Sequence, residues 1–148
     1  MNWEEYRKEA IKYRMEYMNT EEYVAILLMG IIEELNEYRS SVYACEVPED
    51  QLNEYGDLLW NVAELENILD ERSPRHRILG QSGGGHTFDL SLSCIQAVRK
   101  HYMRDRNRDK LIKCTSDILQ SCHIHFVSSG IAKDAMIANC AKMKERFA

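Results

Sequence analysis

Several features that mark common protein classes are scarce or missing in this 148-residue sequence. Only two prolines occur, and no apolar run approaches the roughly 20 residues that a membrane-spanning helix needs. The longest apolar stretch, residues 24–32, leads directly into acidic residues. The N-terminal stretch Met1-Asn2-Trp3-Glu4-Glu5 lacks the basic start and apolar run of a signal peptide. These absences predict a soluble, cytoplasmic protein with no membrane partner.

The cysteine count and spacing and the net charge also argue against several classes of protein. The five cysteines are odd in number and include no Cys-x-x-Cys pair, which argues against a disulfide framework or a structural zinc site. Cys122, His123 and His125 are neighbours, but adjacent helical positions point apart, so we expect structural roles for them. The net charge of −5 makes nucleic acid an unlikely main partner.

Apolar residues are abundant, at 45%, and recur at steps of three and four, which predicts a single all-α domain over residues 1–148. Asn19 and Asp89 are predicted N-caps, and Pro48 fits the first position of a helix. Gly30 falls inside a predicted helix, where it costs about 1 kcal/mol relative to alanine, and indicates close approach of another helix. The predicted helices cover residues 3–18, 20–44, 48–70, 90–104, 108–127 and 131–147.

The middle of the chain breaks the helical pattern over residues 72–88. This stretch holds Pro74 and the run Ser82-Gly83-Gly84-Gly85, which are poor helix formers. It does not match the phosphate-binding pattern Gly-x-x-x-x-Gly-Lys-Ser/Thr. The break is predicted to be a connector or, alternatively, a lid over a site elsewhere.

Two acidic pairs on successive predicted helices are the most informative feature. Glu34 and Glu37 are three residues apart and share a helix face, as do Glu54 and Asp57. Four carboxylates that meet between two helices repel one another unless a cation lies among them. Because hard divalent ions prefer oxygen ligands, the sequence predicts a Mg²⁺ or Mn²⁺ site.

Two polar stripes allow either a functional or a structural interpretation. The stripe on the third helix consists of Glu54, Asp57, Asn61 and Glu64. The stripe on the last helix consists of Asn139, Lys142 and Arg146. Each is typical of a solvated helix face, but the first supplies metal ligands and the second could bind phosphates. Trp60 is expected in the core, or stacked on a nucleobase.

The order of these motifs resembles the signature of the MazG-like all-α nucleoside triphosphate pyrophosphohydrolases. The matching stretches are Glu33-Glu34-Leu35-Asn36-Glu37, Glu54-Tyr55-Gly56-Asp57-Leu58-Leu59-Trp60, and Asn139-Cys140-Ala141-Lys142 with Arg146. The resemblance covers about residues 5–70 and 128–147. It implies a helical bundle with its core at about 3–70 and 128–147, and a longer middle insertion at about 71–127.

The resemblance implies hydrolysis of a (d)NTP to (d)NMP and pyrophosphate, by attack on the α-phosphorus of a water held by metal and carboxylates. Glu34, Glu37, Glu54 and Asp57 would bind Mg²⁺ or Mn²⁺. Glu33, Glu34 and Glu37 would be catalytic, with Glu33 at the edge of the site in a base-like role. Asn61, Asn139, Lys142 and Arg146 would bind substrate. The protein would form a homodimer or homotetramer.

Two other interpretations use the same residues differently. A non-catalytic helical interaction protein would bind an acidic partner through the basic segment 99–108, and its acidic stripes would be solvated faces. A di-iron carboxylate bundle is disfavoured because the acidic pairs contain no Glu-x-x-His.

Overall fold

The computed structural model describes residues 1–14, 16, 19–72 and 89–148, and these residues form an all-α fold, as the sequence predicts. This part of the chain contains no β-strand. The α-helices are α1 (Trp3–Ile11), α2 (Thr20–Tyr43), α3 (Pro48–Arg72), α4 (Leu90–Lys100), α5 (Arg108–Cys122) and α6 (Ala132–Arg146). Two π-helical turns, His101–Asp105 and His123–Val127, continue α4 and α5. None of the helices described is long and apolar enough to cross a membrane.

The predicted helix starts are confirmed by their capping contacts. Asn19 Oδ1 accepts a hydrogen bond from the backbone N–H of Glu22 (2.7 Å), and Asp89 Oδ1 accepts one from that of Leu92 (3.1 Å). Pro48 is the first residue of α3. A short polar side chain before a helix satisfies an N–H group that the first turn leaves unpaired, so these starts are encoded locally.

The predicted end of the first helix is wrong. The helix was expected over residues 3–18, but it ends at Ile11. The next three residues donate backbone hydrogen bonds to carbonyls only three positions back, at 3.1–3.2 Å, which closes the helix with a tight turn. The turn directs Arg14 toward two carboxylates of α3. Tyr17, which the same prediction placed on this helix, lies outside the described residues.

The predicted helices over residues 90–104 and 108–127 are confirmed in extent, but the last turn of each is π-helical. The α-helical geometry ends at Lys100 and at Cys122, and each helix finishes as a π-helical turn. Wide backbone hydrogen bonds close these turns, from Arg106 N–H to His101 O (2.8 Å) and from Ser128 N–H to His123 O (3.0 Å). A π-helical turn adds one residue to the helical turn, which apolar spacing alone does not reveal.

Helix α3 is the central element, because it packs against α1, α2, α5 and α6. All its residues from Val62 to Leu69 are buried. One apolar cluster joins α3 to α2, α4 and α5, and a second joins it to α1 and α6. Helices α4 and α5 belong to the segment predicted as an insertion, and they contribute buried side chains to the first cluster. The Gly-rich run 82–85, predicted as a connector or lid, lies outside the described residues.

Two glycines allow helices to approach closely beside the acidic residues. A Cβ atom on Gly56 would lie 2.9 Å from Asn139 Cβ and 3.0 Å from the backbone oxygen of Ala135, both on α6. A Cβ atom on Gly30 would overlap with Asn61 Oδ1, on α3. The close approach that Gly30 indicates is therefore present, and Gly56 sets the spacing between α3 and α6.

We expect Gly56→Ala to destabilise the fold by about 1–2 kcal/mol, because the cost of overpacking exceeds the gain in helix propensity. The added methyl group would meet backbone as well as side-chain atoms of α6, so α6 must shift. Urea unfolding measures the change. Gly130→Ala is the matched control, because no atom lies within 4 Å of its Cβ position. Equal stability for the two variants would contradict close α3–α6 packing.

Candidate metal centre

Acidic side chains of α2 and α3 meet where the two helices pack together. One carboxylate oxygen from each of Glu34, Glu54 and Asp57 lies within 4.8 Å of the other two. Glu37 stays outside this compact group, but its carboxyl group is close enough to hydrogen-bond with Glu34 and Glu54. The spacing of three residues puts each pair on one helix face, as predicted. Three of the four predicted metal ligands therefore form a compact cluster, with the fourth beside it.

The cluster changes the acidity of its members. Burial, with repulsion from Asp57 and Glu37, raises the pKa of Glu34 to about 8. Burial and contact with Glu37 also raise the pKa of Glu54, although the positive charge of Lys142 partly opposes this. A raised carboxyl pKa means that the ionised form is poorly compensated, so a proton or another cation is held more readily here than on an ordinary surface carboxylate.

Two oxygens of the cluster lack hydrogen bonds. Glu34 Oε2 and Glu54 Oε2 are buried, and neither has a hydrogen-bond partner in the described part of the chain. Buried polar atoms are rarely left unpaired, because each loses its interaction with water and gains nothing in return. Unpaired carboxylate oxygens from two helices, close to a third carboxylate, form a donor set that suits Mg²⁺ or Mn²⁺.

The only cationic side chain that contacts this cluster within the described residues is Lys142 of α6. Its Nζ donates to both carboxylate oxygens of Asp57, at 2.9 and 2.8 Å. Asn139 Nδ2, one turn earlier, also donates to Asp57 Oδ1 (3.2 Å). The sequence predicted Lys142 and Asn139 as substrate-binding residues, and the structure adds that both contact a predicted metal ligand.

Tyr6 is part of this arrangement, although the sequence indicated only a packing role for it. Its side chain is 1% exposed, and its hydroxyl group donates to Asn139 Oδ1 (2.7 Å). Because the amide oxygen faces Tyr6, the amide nitrogen of Asn139 must face Asp57. No motif in the sequence connects α1 with this site, because the contact joins residues 133 positions apart.

Two other buried acids on α3, Glu64 and Glu66, are compensated by hydrogen bonds and ion pairs with other side chains of the protein. Glu64 is fully buried, and it receives hydrogen bonds from Arg14 (2.8 Å) and from the hydroxyl group of Tyr23 (2.7 Å). It was expected on the same polar stripe as Glu54 and Asp57, but its environment is different.

Glu66, also fully buried, interacts with the indole of Trp3, with His123 Nε2 (2.9 Å) and with Arg7 (3.1 Å). Burial alone would raise the pKa of Glu66, but hydrogen bonds from His123 and the charge of Arg7 outweigh it, so the pKa is lowered. His123 therefore has a structural contact, as expected. The Glu64–Glu66 end of α3 contrasts with the Glu54–Asp57 end, where Lys142 is the only cationic side chain that contacts the acids among the described residues and Asn139 adds one hydrogen bond.

A cavity of about 510 Å³ adjoins the acidic cluster. Its polar lining includes the predicted site residues Glu33, Glu34, Asp57, Asn61, Asn139 and Arg146. Its apolar lining consists of Ile26, Met29, Trp60, Met143 and the stacked rings of Tyr13 and Phe147. Trp60 packs against both apolar clusters, yet its buried Nε1 has no partner in the described part of the chain. The lining of the cavity therefore combines charged and polar groups with flat apolar rings.

The raised pKa of Glu34 makes stability depend on pH when no metal is present. An acid whose pKa is higher in the folded state binds more protons when folded, so the unfolding free energy falls as pH rises from about 4.5 to about 8. In EDTA, we expect Glu34→Gln to lose less thermal stability than the wild-type protein over this interval. Glu49→Gln, an exposed change on α3, is the control. Parallel curves for Glu34→Gln and the wild type would contradict the assignment.

Lys142 and a divalent ion would compete for Asp57. Removing the ammonium group in Lys142→Gln lowers the repulsion on an entering cation, so we expect at least about threefold tighter Mn²⁺ binding without nucleotide. Lys144→Gln removes the same charge from the exposed side of α6 and serves as the control. Isothermal titration calorimetry measures both. Weaker binding in Lys142→Gln would mean that the lysine supports the metal instead of opposing it.

Comparisons with known proteins identify no relative: no family model, no curated protein and no solved structure matches this chain. The resemblance to the MazG-like pyrophosphohydrolases therefore stays a prediction carried by the motifs.

Proposed function

We propose that this protein is a Mg²⁺-dependent nucleoside triphosphate pyrophosphohydrolase that converts a (d)NTP and water to a (d)NMP and pyrophosphate. The observation that carries the proposal is the undercompensated cluster of Glu34, Glu54 and Asp57. The other buried acids of α3 are paired with arginine, histidine or hydroxyl groups, so uncompensated charge is not a general property of this helix. A site that keeps carboxylate oxygens free is suited to an external cation.

The residues fit a hard divalent ion. Glu34, Glu54 and Asp57 would hold it, with Glu37 as an additional ligand at the exposed side. Mg²⁺ usually keeps several waters and is held by a few carboxylates together with substrate phosphates, which agrees with a half-open cluster beside a cavity. When bound, the ion supplies positive charge that neutralises the triphosphate oxygens.

The basic residues of α6 would bind the triphosphate. Lys142 lies at the cluster, and Arg146 lines the adjoining cavity one turn later. Both would donate to phosphate oxygens, and the planar guanidinium group of Arg146 can do so through two parallel hydrogen bonds. Asn139, oriented by Tyr6, would keep Asp57 in place when Lys142 turns toward the substrate.

The apolar region of the cavity would take the nucleoside. Trp60 and the stacked rings of Tyr13 and Phe147 offer flat surfaces for a base, and Asn61 offers an amide beside them. The buried Trp60 Nε1 would donate to an acceptor on the ligand. The lining of one cavity therefore offers flat rings for a base and polar groups for phosphates, which supports a nucleotide over a simple phosphate as substrate.

Glu33 and Glu37 would handle the attacking water. Both are exposed; Glu33 lines the cavity, and Glu37 lies beside Glu34 and Glu54. One of these carboxylates would accept a proton as the water oxygen bonds to the α-phosphorus. The bond from the α-phosphorus to the bridging oxygen breaks, and pyrophosphate leaves with the bonding electron pair. The motif resemblance supports attack at this phosphorus, and also the proposal of a homodimer or homotetramer.

The decisive experiment incubates the protein with Mg²⁺ and a panel of NTPs and dNTPs, and measures pyrophosphate and orthophosphate separately. We expect pyrophosphate and a monophosphate from at least one nucleotide, with no product in EDTA. Asp57→Asn and Glu54→Gln should lower kcat at least about 100-fold, because each removes charge that positions the cation. Asp50→Asn, an exposed change on the same helix, should leave kcat unchanged.

Three results would separate the proposal from its alternatives. Orthophosphate with a diphosphate would keep the metal site but place the attack at the γ-phosphorus. Full activity in Asp57→Asn would remove the acidic cluster from the reaction. No product from any nucleotide, with no rise in melting temperature on adding Mg²⁺, would favour a non-catalytic interaction protein.

A further inference from the structure

The junction of α4 and α5 is the most basic part of the chain. Residues 99–113 carry seven basic and two acidic side chains, a net charge of +5 in a protein whose total is −5. Among the described residues, ion pairs involve only two of the seven, Arg108 with Glu21 (3.4 Å) and Lys110 with Asp105 (3.9 Å). No ion pair within the described residues offsets the other five basic side chains.

These charges surround a cavity. A space of about 290 Å³ opens between the end of α4 and the start of α5, and its lining includes Lys100, His101, Lys110 and Lys113. Asp105 also lines it, but its charge is offset by Lys110. The three lysines are exposed, so their ammonium groups can move to meet a ligand without unfolding either helix.

His101 supplies a buried polar group in this lining. Its side chain is only 6% exposed, and its Nδ1 has no hydrogen-bond partner in the described part of the chain. His101 lines the cavity, and because buried side-chain nitrogens are normally paired, its unpaired Nδ1 points to a ligand atom as its partner. An imidazole nitrogen that carries a proton donates to an anionic oxygen.

The start of α5 adds backbone donors to the same place. Asn107, which lines the cavity, caps the 15-residue helix α5 by accepting a hydrogen bond from Lys110 N–H (3.2 Å). The N–H groups of Arg108 and Asp109 in the first turn have no acceptor within the helix. Free N–H groups at a helix start favour an anion, and phosphate is the common case.

This junction is separate from the acidic centre. Arg108 contacts Glu21 in the first turn of α2, whereas the acidic cluster uses Glu34, which lies 13 residues further along the same helix. At 1.5 Å per residue, that separation is about 20 Å. An anion at the junction would therefore not touch the residues proposed to hold the metal.

We propose that the α4–α5 junction binds a small phosphate-bearing anion between Lys100, His101, Lys110 and Lys113. The ligand class follows from the lining: several cations, one buried imidazole nitrogen and a helix start all favour phosphate oxygens. The cavity is large enough for a pyrophosphate group, and its concave shape suits a small ligand better than a nucleic-acid strand. The proposal does not depend on the reaction proposed for the acidic centre.

The test titrates inorganic pyrophosphate into the full chain in EDTA, so that no metal ion can recruit phosphate to the acidic centre. Isothermal titration calorimetry should detect binding in the wild type. The double variant Lys110→Gln/Lys113→Gln should bind about tenfold more weakly, or worse, because two charge-assisted hydrogen bonds are lost. Lys133→Gln/Lys144→Gln removes two exposed lysines from α6 and should bind as the wild type does.

A second measurement follows the imidazole N–H signals by NMR during the same titration. The His101 signal should shift on adding pyrophosphate, whereas the signal of His123, which Glu66 already binds, should stay in place. Absence of both heat and a His101 shift at millimolar pyrophosphate would overturn the proposal. So would equal weakening in the two double variants, or binding that requires Mg²⁺ and disappears in Asp57→Asn.

An oligonucleotide arm tests the competing ligand class. A single-stranded oligonucleotide that binds through Lys110 and Lys113, and that pyrophosphate does not displace, would make the junction a nucleic-acid contact and overturn the small-ligand proposal. Displacement by pyrophosphate at concentrations near its own dissociation constant would support a phosphate subsite.

Discussion

The negative charge that α2 and α3 bring together is the constraint on which the rest of this structure depends. Helix α3 is central and largely buried, yet it carries Glu54, Asp57, Glu64 and Glu66. Burying a carboxylate costs several kcal/mol unless cations or hydrogen-bond donors compensate it. At one end of α3 the fold provides them from α1 and the turn after it, from α2 and from the His123–Val127 turn. At the other end, Lys142 is the single cationic side chain that the described residues provide.

The packing of α6 against α3 determines which groups compensate the acids at the Glu54–Asp57 end. Gly56 lets α6 approach α3 closely enough for Asn139 and Lys142 to reach Asp57, which neighbours Gly56 on the same turn. Tyr6 then connects α1 to the same point through Asn139, and its hydroxyl group also lies 3.2 Å from the backbone oxygen of Gly56. Because Gly56 has no side chain, α6 packs close to α3, and this packing determines where the Lys142 ammonium group lies. The electrostatics of the centre and the packing of the second apolar cluster cannot be changed independently.

The sequence predicts the parts of this site that depend on local spacing. Glu34, Glu54 and Asp57 were identified because residues three apart share a helix face, and Gly30 indicated a close helix approach. Contacts between distant segments were missed, because no residue near Tyr6 in the sequence indicates its contact with Asn139. Glu64 has the same spacing as Glu54 and Asp57, but Arg14 forms an ion pair with it and Tyr23 donates a hydrogen bond to it. Helix starts were predicted from their caps, but the early end of the first helix and the π-helical turns that close the fourth and fifth were not, because neither follows a simple apolar period.

A proton, the ammonium group of Lys142 and a divalent metal ion would compete for the carboxylates of the acidic cluster. This competition links the fold to the proposed chemistry. Glu34 readily binds a proton, because its pKa is raised to about 8. Asp57 binds the ammonium group of Lys142, and a divalent ion would bind to both carboxylates. Each one that binds lowers the affinity for the others, because the available negative charge is limited. A metal ion that enters the cluster would therefore release a proton and free Lys142. The freed lysine lies next to the cavity, where a triphosphate would need a cation, so metal binding and substrate binding would favour one another without any change in the helical framework.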